Sequence, residues 1–220
     1  MNSMFVAGIM NQNINGFYFI NSGLEHAVLD ILMILITDLG SFSAWIIACL
    51  ILFIFGGEKA KKVALLALIA LFLANGLVAL LKYIVAEPRP FMVLPDVDLL
   101  VNESGNSFPS SHSASSFAPA TVIGLKYRLK IKNKTFSLLY ILIAFAAIIA
   151  FSRIYIGVHY PFDVIFGAAI GVICAGIVLK YETFLLSNKI TQYIGLDRIM
   201  GFNVLNIIKN KRGKLWKIKK

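Results

Sequence analysis

Apolar residues dominate the chain in long runs that short polar segments separate. A helix needs about 20 predominantly apolar residues to cross the hydrocarbon core of a bilayer. The runs that approach this length are Leu39–Gly57, Val63–Val85, Phe108–Leu125, Thr135–Phe151 and Tyr160–Lys180. A further run, Leu24–Ile36, is shorter and is interrupted by Asp30. The pattern predicts an all-α polytopic membrane bundle of about six transmembrane helices, with five spans plus an interfacial helix as the alternative.

The two ends of the chain depart from this pattern. Residues 1–20 are mixed and rich in Asn, so we expect a loosely structured or interfacial start, without the positive segment of a cleavable signal peptide. Residues 184–220 alternate apolar and basic residues and include Trp216, which favours a basic cytoplasmic tail, either solvated or lying as an amphipathic helix on the inner leaflet. Residues 1–183 are then expected to form one membrane-embedded domain.

The composition agrees with a membrane protein. Hydrophobic residues make up 59% of the chain and charged residues only 15%, against about 45–50% and about 25% in soluble domains. The two cysteines, Cys49 and Cys174, lie within apolar runs. They form neither a disulfide framework nor a metal-binding spacing.

The positive charge is unevenly distributed along the chain. Of the 21 basic residues, 18 lie in the turn 59–62, in the loop 126–134, or from Lys180 onward. These segments alternate with pairs of spans, so they share one side, which the enrichment of short inner loops in Lys and Arg makes the cytoplasmic one. Topology thus accounts for the surplus charge, and no nucleic-acid partner is expected. The remaining three, Lys82, Arg89 and Arg153, lie at the outer ends of spans and are candidates for an anion site.

Three polar segments share this outer face: 82–90, 108–112 and 152–163. Ionisable groups at the mouth of apolar helices are costly and usually functional. Two guanidinium groups and one ammonium group suit a phosphoryl group, whose transfer is accelerated by positioning and electrostatic stabilisation. One such cation alone would be interpreted as a snorkelling residue at the membrane boundary. Three together favour a phosphate site.

Two histidines lie in the same segments. His159 precedes Pro161, which suits the first turn of a helix, and Asp163 follows four residues later. A carboxylate bonded to one ring nitrogen leaves the other free as a nucleophile. His112 follows Ser110 and Ser111 at the start of another helix, where hydroxyl and amide groups can bind phosphate oxygens and the imidazole can act as general acid and base.

A zinc site is the competing interpretation, since two histidines and one aspartate can ligate that metal. A dication would be repelled by the three protein cations. We therefore expect neither a metal nor any other cofactor.

The segments read Lys-x6-Arg-Pro, then Pro-Ser-x-His, then Ser-Arg-x5-His-x3-Asp, over residues 82–163. In order and spacing they resemble the type 2 phosphatidic acid phosphatase superfamily, which includes vanadium haloperoxidases and bacterial non-specific acid phosphatases. The resemblance implies a helical-bundle catalytic core and metal-independent hydrolysis of phosphate esters. Members often carry Gly or Asp where this chain has Ser111.

The resemblance also implies a role for each motif residue. His159 attacks phosphorus to give a phosphohistidine, Asp163 orients it, and His112 protonates the leaving oxygen and later activates water. The residues implied to hold the phosphate are Lys82, Arg89, Ser110, Arg153 and, through its backbone amide, Ser111.

The favoured function is a membrane lipid phosphatase at the outer leaflet, where an amphiphilic substrate keeps its tail in lipid while its headgroup meets the cations. The stretch Asn13–Met33 and the tripeptide 89–91 are similar in character to bacterial undecaprenyl-diphosphate phosphatases, which favours a polyprenyl diphosphate substrate. Phosphatidic acid and phosphatidylglycerol phosphate are the alternatives within the same chemistry. A non-enzymatic anion transporter is the remote alternative, because a conduction path would need polar residues in the middle of several spans, and Asn75 is one of few there. The loop Phe91–Ser107 is expected to form a rim or lid over the site.

Overall fold

Helices account for most of the chain in the computed structural model, which describes residues 2–131 and 134–187. The helices are α1 (Asn2–Asn21), α2 (Ala27–Asp38), α3 (Phe42–Phe55), α4 (Glu58–Val85), α5 (Pro90–Val93), α6 (Ser111–Lys126), α7 (Leu139–Tyr155), α8 (Pro161–Lys180) and α9 (Glu182–Leu185). Two strands, β1 (Arg128–Ile131) and β2 (Lys134–Ser137), lie between α6 and α7. The architecture is mostly helical, as predicted, although the two strands depart from an all-α fold.

Helix α6 is the centre of the bundle and packs against α4, α7 and α8. Its buried face consists mainly of Ser, Ala and Gly, which lets neighbouring backbones approach closely. A Cβ atom on Gly171 of α8 would lie only 2.8 Å from the carbonyl oxygen of Ala114, and one on Gly167 would collide with the carbonyl oxygen of Ser110. The contact between α6 and α8 therefore depends on small residues on both helices, and it fixes the start of α6 against the start of α8.

The predicted number of spans is supported only in part. Within the described residues, Glu58–Val93 and α8 are long and apolar enough to cross a membrane, α2 and α3 qualify only as a pair bent by 59°, and α7 is a shorter apolar helix. Both ends of α2 contact the last turn of α7: the amide of His26 lies 3.2 Å from the Tyr155 hydroxyl, and the Thr37 hydroxyl accepts a hydrogen bond from Arg153. The choice between six spans and five spans plus an interfacial helix therefore stays a prediction.

The start of the chain is better ordered than its composition suggested. The expectation of a loosely structured segment over residues 1–20 is wrong, because α1 covers Asn2–Asn21, while an interfacial position of this segment stays a prediction. Phe17 is fully buried against Ile154 and Tyr160. The Asn13 side chain accepts a hydrogen bond from the amide of Phe162. The Asn residues that suggested a loop therefore include side chains that attach α1 to the start of α8.

A β-hairpin replaces part of the predicted loop 126–134 and the start of the predicted span Thr135–Phe151. Strands β1 and β2 pair antiparallel, with Leu129 opposite Phe136 and Lys130 opposite Thr135. The alternation of basic and apolar residues from Arg128 has the period of two that favours a strand. As a result, α7 begins only at Leu139.

The basic inner segments meet at one end of the bundle, as their spacing predicted. A cavity of about 410 Å³ is lined by residues from the start of α4, the end of α6 and α9. Lys126 forms an ion pair with Glu182, and the Lys59 ammonium lies 4.9 Å from the centre of the Tyr127 ring. We call this the basic end and the opposite one, where the three polar segments lie, the motif end. Most of the predicted tail, residues 188–220, lies outside the described residues.

Candidate active site

The three polar segments converge at the motif end of the bundle. Lys82 lies in the last turn of α4, Arg89 directly precedes α5, and Arg153 lies in the last turn of α7. Ser110 caps the start of α6, which places Ser111 and His112 in its first turn. His159 lies just before α8 and Asp163 in its first turn. All predicted site residues thus come from the ends of helices that pack against α6 or lie beside it.

The His159 ring is oriented by an acidic partner, as its spacing predicted. Nδ1 of His159 lies 3.1 Å from Oδ2 of Asp163, and the same oxygen accepts a hydrogen bond from the amide of Tyr160 at 2.9 Å. Pro161 starts the helix between them and Asp163 caps it. Since Nδ1–H donates to Asp163, Nε2 of the neutral ring carries the lone pair.

The environment of His159 favours this neutral form. The side chain is 1% exposed. Burial, together with the positive charges of Arg153, Arg89 and Lys82, holds the pKa of His159 well below its usual value. An unprotonated Nε2 is the form of imidazole that can attack an electrophile.

Arg89 lies beside that nitrogen, with its Nη1 at 3.3 Å from Nε2 of His159. Its guanidinium donates to the carbonyl oxygens of Gly105 and Ser104, both at 2.9 Å, and to that of Val158 at 3.0 Å. These backbone acceptors fix the plane of a buried group. Arg89 therefore presents its charge beside the nucleophile in a defined orientation.

Arg153 is held from the opposite side. Its Nη1 donates to the hydroxyl of Thr37 at 2.8 Å, and its Nη2 donates to the carboxylate of Glu103. Its buried Nε has no hydrogen-bond partner among the described residues. Glu103 also lies 3.5 Å from Nη2 of Arg89, so one carboxylate bridges the two guanidinium groups.

Lys82 completes the set of cations. Its Nζ donates to the carbonyl oxygens of Asn106 and Ser107, the latter at 3.0 Å, while the Asn106 amide donates back to the carbonyl of Lys82 at 2.8 Å. The ammonium interacts electrostatically with both arginines and with Asp163. The structure thus brings the three cations predicted as an anion site into one cluster around His159.

The start of α6 supplies further polar groups. The Ser110 hydroxyl accepts a hydrogen bond from the Ser113 amide at 3.3 Å, which leaves its own proton free to donate. The Ser110 amide is used, since it donates to the carbonyl of Asp163 at 3.0 Å. Ser111 and His112 are partly exposed, and His112 lies close enough to interact electrostatically with His159.

Three neighbours of the site were not predicted from the sequence as site residues. Ser107 places its hydroxyl 2.5 Å from Asp163 Oδ2 and 3.3 Å from His159 Nδ1. Thr37 directly follows the apolar run Leu24–Ile36, far from any motif, and Glu103 lies within the loop Phe91–Ser107. No local pattern marks Ser107 or Thr37, because their partners are 52 or more residues away. The loop containing Glu103 was expected to cover the site. That expectation is the only feature of the sequence analysis that points to Glu103.

Comparison with known proteins decides the family. Residues 63–186, more than half of the chain, match the PAP2 superfamily. The chain belongs to that superfamily. This confirms the resemblance inferred from the motifs and the predicted class of enzyme, a phosphatase.

Two curated PAP2 relatives and one solved structure illustrate the similarity. The bacitracin transport permease protein BcrC of Bacillus licheniformis is 32% identical over 165 residues, which cover 74% of this chain and 77% of the relative. Undecaprenyl-diphosphatase BcrC of Bacillus subtilis is 28% identical over 179 residues, covering 79% and 84%. The crystal structure of LpxE from Aquifex aeolicus is similar with a TM-score of 0.66 and 37% identity, over 77% of this chain and 96% of LpxE.

Proposed function

We propose that the protein hydrolyses a lipid phosphate or diphosphate, by preference undecaprenyl or another polyprenyl diphosphate, through a phosphohistidine at the outer face of the membrane. The observation that carries the proposal is the pairing of an Asp163-oriented, neutral His159 with the guanidinium of Arg89 at its Nε2. A nucleophile and a phosphate-binding cation are thereby set side by side.

The proposed reaction has two steps. In the first, Nε2 of His159 forms a bond to phosphorus while the bond from phosphorus to the leaving oxygen breaks, and His112 donates a proton to that oxygen. In the second, His112 takes a proton from water, the water oxygen attacks phosphorus, and the bond to His159 breaks to release inorganic phosphate. Asp163 stabilises the positive charge that the imidazole carries between the two steps.

The phosphate would be held by the groups that surround His159. Arg89, Arg153 and Lys82 neutralise the charge that spreads over the phosphoryl oxygens, and the Ser110 hydroxyl and the Ser111 amide supply neutral donors. All of these groups belong to the protein, so the proposed chemistry proceeds without a metal ion.

The choice of a polyprenyl diphosphate is supported by the similarity to BcrC of Bacillus subtilis, which is an undecaprenyl-diphosphatase. It also suits the place of the site at one end of an apolar bundle. A substrate with a long apolar tail can leave that tail among lipids while its diphosphate enters the cluster of cations.

The proposed sidedness rests on the enrichment of short cytoplasmic loops in Lys and Arg. If the basic end faces the cytoplasm, the motif end lies at the outer face. We further infer that α3, α4, α6, α7 and α8 cross the membrane and that α2 lies along the outer surface. The support for this is that both ends of α2 contact the outer turn of α7.

The activity is tested by phosphate release from purified protein in detergent containing EDTA. The panel comprises a polyprenyl diphosphate, phosphatidic acid and phosphatidylglycerol phosphate, compared by kcat/KM. We expect the polyprenyl diphosphate to rank first, vanadate to inhibit, and His159→Ala to abolish turnover. His112→Ala should still become labelled by substrate carrying radioactive phosphate, but should lose the label slowly. Inactivity on every lipid, or full activity of His159→Ala, would refute the proposal.

The sidedness has its own test. Cys49 and Cys174 are first replaced, and a single cysteine is then introduced at Asp96, in the 91–107 loop, or at Lys130, in β1, both of which are exposed. Spheroplasts containing each variant are treated with a membrane-impermeant maleimide. We expect labelling of Asp96→Cys only. Labelling of Lys130→Cys instead would invert the proposed orientation.

A further inference from the structure

Glu103 occupies an unusual place for an acidic residue in a site that attracts anions. Its carboxylate pairs with Nη2 of Arg153 and lies 3.5 Å from Nη2 of Arg89. The side chains of Arg153 and Arg89 are only 2% and 3% exposed, whereas the Glu103 side chain is 26% exposed. The carboxylate is therefore a partly accessible anion bound to two buried cations.

The position that this carboxylate takes is close to the nucleophile. The Arg89 guanidinium that meets Glu103 through Nη2 meets Nε2 of His159 through Nη1. The second guanidinium, that of Arg153, has a buried Nε with no partner among the described residues. A tetrahedral anion placed between the arginines can use that donor, which the planar carboxylate leaves unsatisfied.

The segment that carries Glu103 holds all three cations. Residues 103–107, which we call the strap, accept hydrogen bonds from Lys82 at Asn106 and Ser107, from Arg89 at Ser104 and Gly105, and from Arg153 at Glu103. Every acceptor except the Glu103 carboxylate is a backbone carbonyl. An incoming phosphate that displaces only this side chain leaves the other hydrogen bonds of the strap intact.

We propose that Glu103 is an internal carboxylate occupant of the phosphate site, which a terminal phosphate displaces, and that it sets the affinity threshold for the headgroups that enter. The first half of this proposal concerns anion binding alone; the second rests on the proposed lipid phosphatase function.

The threshold follows from simple competition. An internal occupant multiplies the apparent dissociation constant of every anion by the same factor, because only the fraction of molecules with the site open can bind. A terminal phosphate carries up to two charges and gains enough from the arginines to overcome this factor. The phosphodiester headgroups of bulk lipids carry one charge, like the carboxylate itself. They fall below the threshold even though they surround the site at high concentration.

Orthophosphate binding tests the first half of the proposal. The dissociation constant is obtained from the dependence of Tm on phosphate concentration, which requires no turnover. Glu103→Gln keeps the shape and removes the charge, so we expect it to bind phosphate at least about tenfold more tightly than the wild type. The matched control is Asp96→Asn, which removes the same charge from an exposed residue of the same loop and should leave the constant unchanged.

A second signature separates competition from a structural role. Without phosphate, Glu103→Gln should have a lower Tm, because two buried guanidinium groups lose their counter-charge, and added phosphate should restore it. If Glu103→Gln is too unstable to purify, Glu103→Asp keeps the charge on a shorter side chain that reaches only one guanidinium. Glu103→Asp should bind phosphate more tightly than the wild type, but less tightly than Glu103→Gln. Phosphate affinity equal to or weaker than that of the wild type in either variant would overturn the proposal.

The second half is tested with substrate in mixed micelles of rising phosphatidylglycerol content. With the substrate held below its KM, we expect Glu103→Gln to be inhibited at a lower fraction of this phosphodiester lipid than the wild type and Asp96→Asn. Equal sensitivity would overturn the threshold role. If the wild type hydrolyses no lipid but Glu103→Gln binds phosphate more tightly, the proposed function is overturned. The proposal that Glu103 occupies the phosphate site is then retained.

Discussion

Nη1 of Arg89 lies 3.3 Å from Nε2 of His159, the ring nitrogen that carries the lone pair. The contact has two consequences for the proposed reaction. It fixes the tautomer from the side opposite to Asp163, and it occupies the lone pair that must attack phosphorus. An arriving phosphate oxygen has to take over the Nη1–H donor, so binding of the phosphate and release of the nucleophile become one event.

Replacing Arg89 with Lys should separate the effect of its positive charge from the effect of its directed hydrogen bonds. The ammonium keeps the charge but cannot donate at once to the carbonyls of Gly105, Ser104 and Val158 and to a phosphate oxygen. We expect kcat/KM to fall by about 10² or more, as measured by phosphate release. Arg128→Lys, at an exposed position of the basic end, is the control and should be neutral. Retention of wild-type kcat/KM in Arg89→Lys would show that charge alone is sufficient.

Ser107 should act by positioning the His159–Asp163 pair. Its hydroxyl contacts both side chains, so Ser107→Ala removes a hydrogen bond from the carboxylate without removing a group that meets the phosphate. We expect kcat to fall about tenfold with little change in KM, in keeping with the loss of about 1–2 kcal/mol from a buried hydrogen bond. Ser104→Ala, an exposed residue whose contribution is its backbone carbonyl, should behave as the wild type. A rise in KM at constant kcat would instead assign Ser107 to substrate binding.

The lowered pKa of His159 predicts how the first step responds to acid. An imidazole with the usual pKa near 6.5 would lose about three quarters of its neutral form at pH 6. Because burial and the surrounding cations hold the pKa of His159 well below that value, the neutral form persists. Single-turnover formation of the phosphoenzyme should thus be nearly constant between pH 7.5 and 6 with an aryl phosphate that stays doubly ionised. A decline with an apparent pKa near 6.5 would contradict this.

The contact between α6 and α8 should be intolerant of even one added methyl group. A Cβ on Gly167 would collide with the carbonyl of Ser110, so Gly167→Ala has to move the start of α6 away from Asp163. We expect a loss of about 1–3 kcal/mol of stability, seen as a lower Tm, together with reduced activity. Gly176→Ala in the same helix meets nothing within 4 Å and should be neutral or slightly stabilising. Equal Tm values for the two variants would refute the close approach.

The candidate catalytic cluster could be predicted because its members stand out through local features of the sequence. Four residues bring Asp163 back to His159, and the rarity of outer cations singled out Lys82, Arg89 and Arg153. The residues that support them could not be found in this way. Thr37 and Ser107 act on partners far along the chain, so only the packing of α2 and of the strap reveals their contacts.

The errors in the predicted fold have a similar origin. Asn13 belongs to the segment that suggested a loose start and Asn21 directly follows it, yet both side chains are buried and bonded to backbone groups of other elements. The sequence could not show that their polarity is satisfied by tertiary contacts. The hairpin was predicted as a loop and the start of a span. Its basic residues were interpreted as a topology signal, whereas its alternation of basic and apolar residues, which favours a strand, was not interpreted.

The hydrogen bond from Arg153 to Thr37 crosses the boundary of the matched family region, which begins at residue 63. A chimera that grafts only residues 63–186 onto a foreign leader would import the arginine without the hydroxyl that holds it. The same graft would lose the Asn21 side chain, which donates to the carbonyl oxygens of Asp98 and Tyr155. For protein engineering, the smallest transferable unit of this enzyme thus begins within α1, well before the region by which its family is recognised.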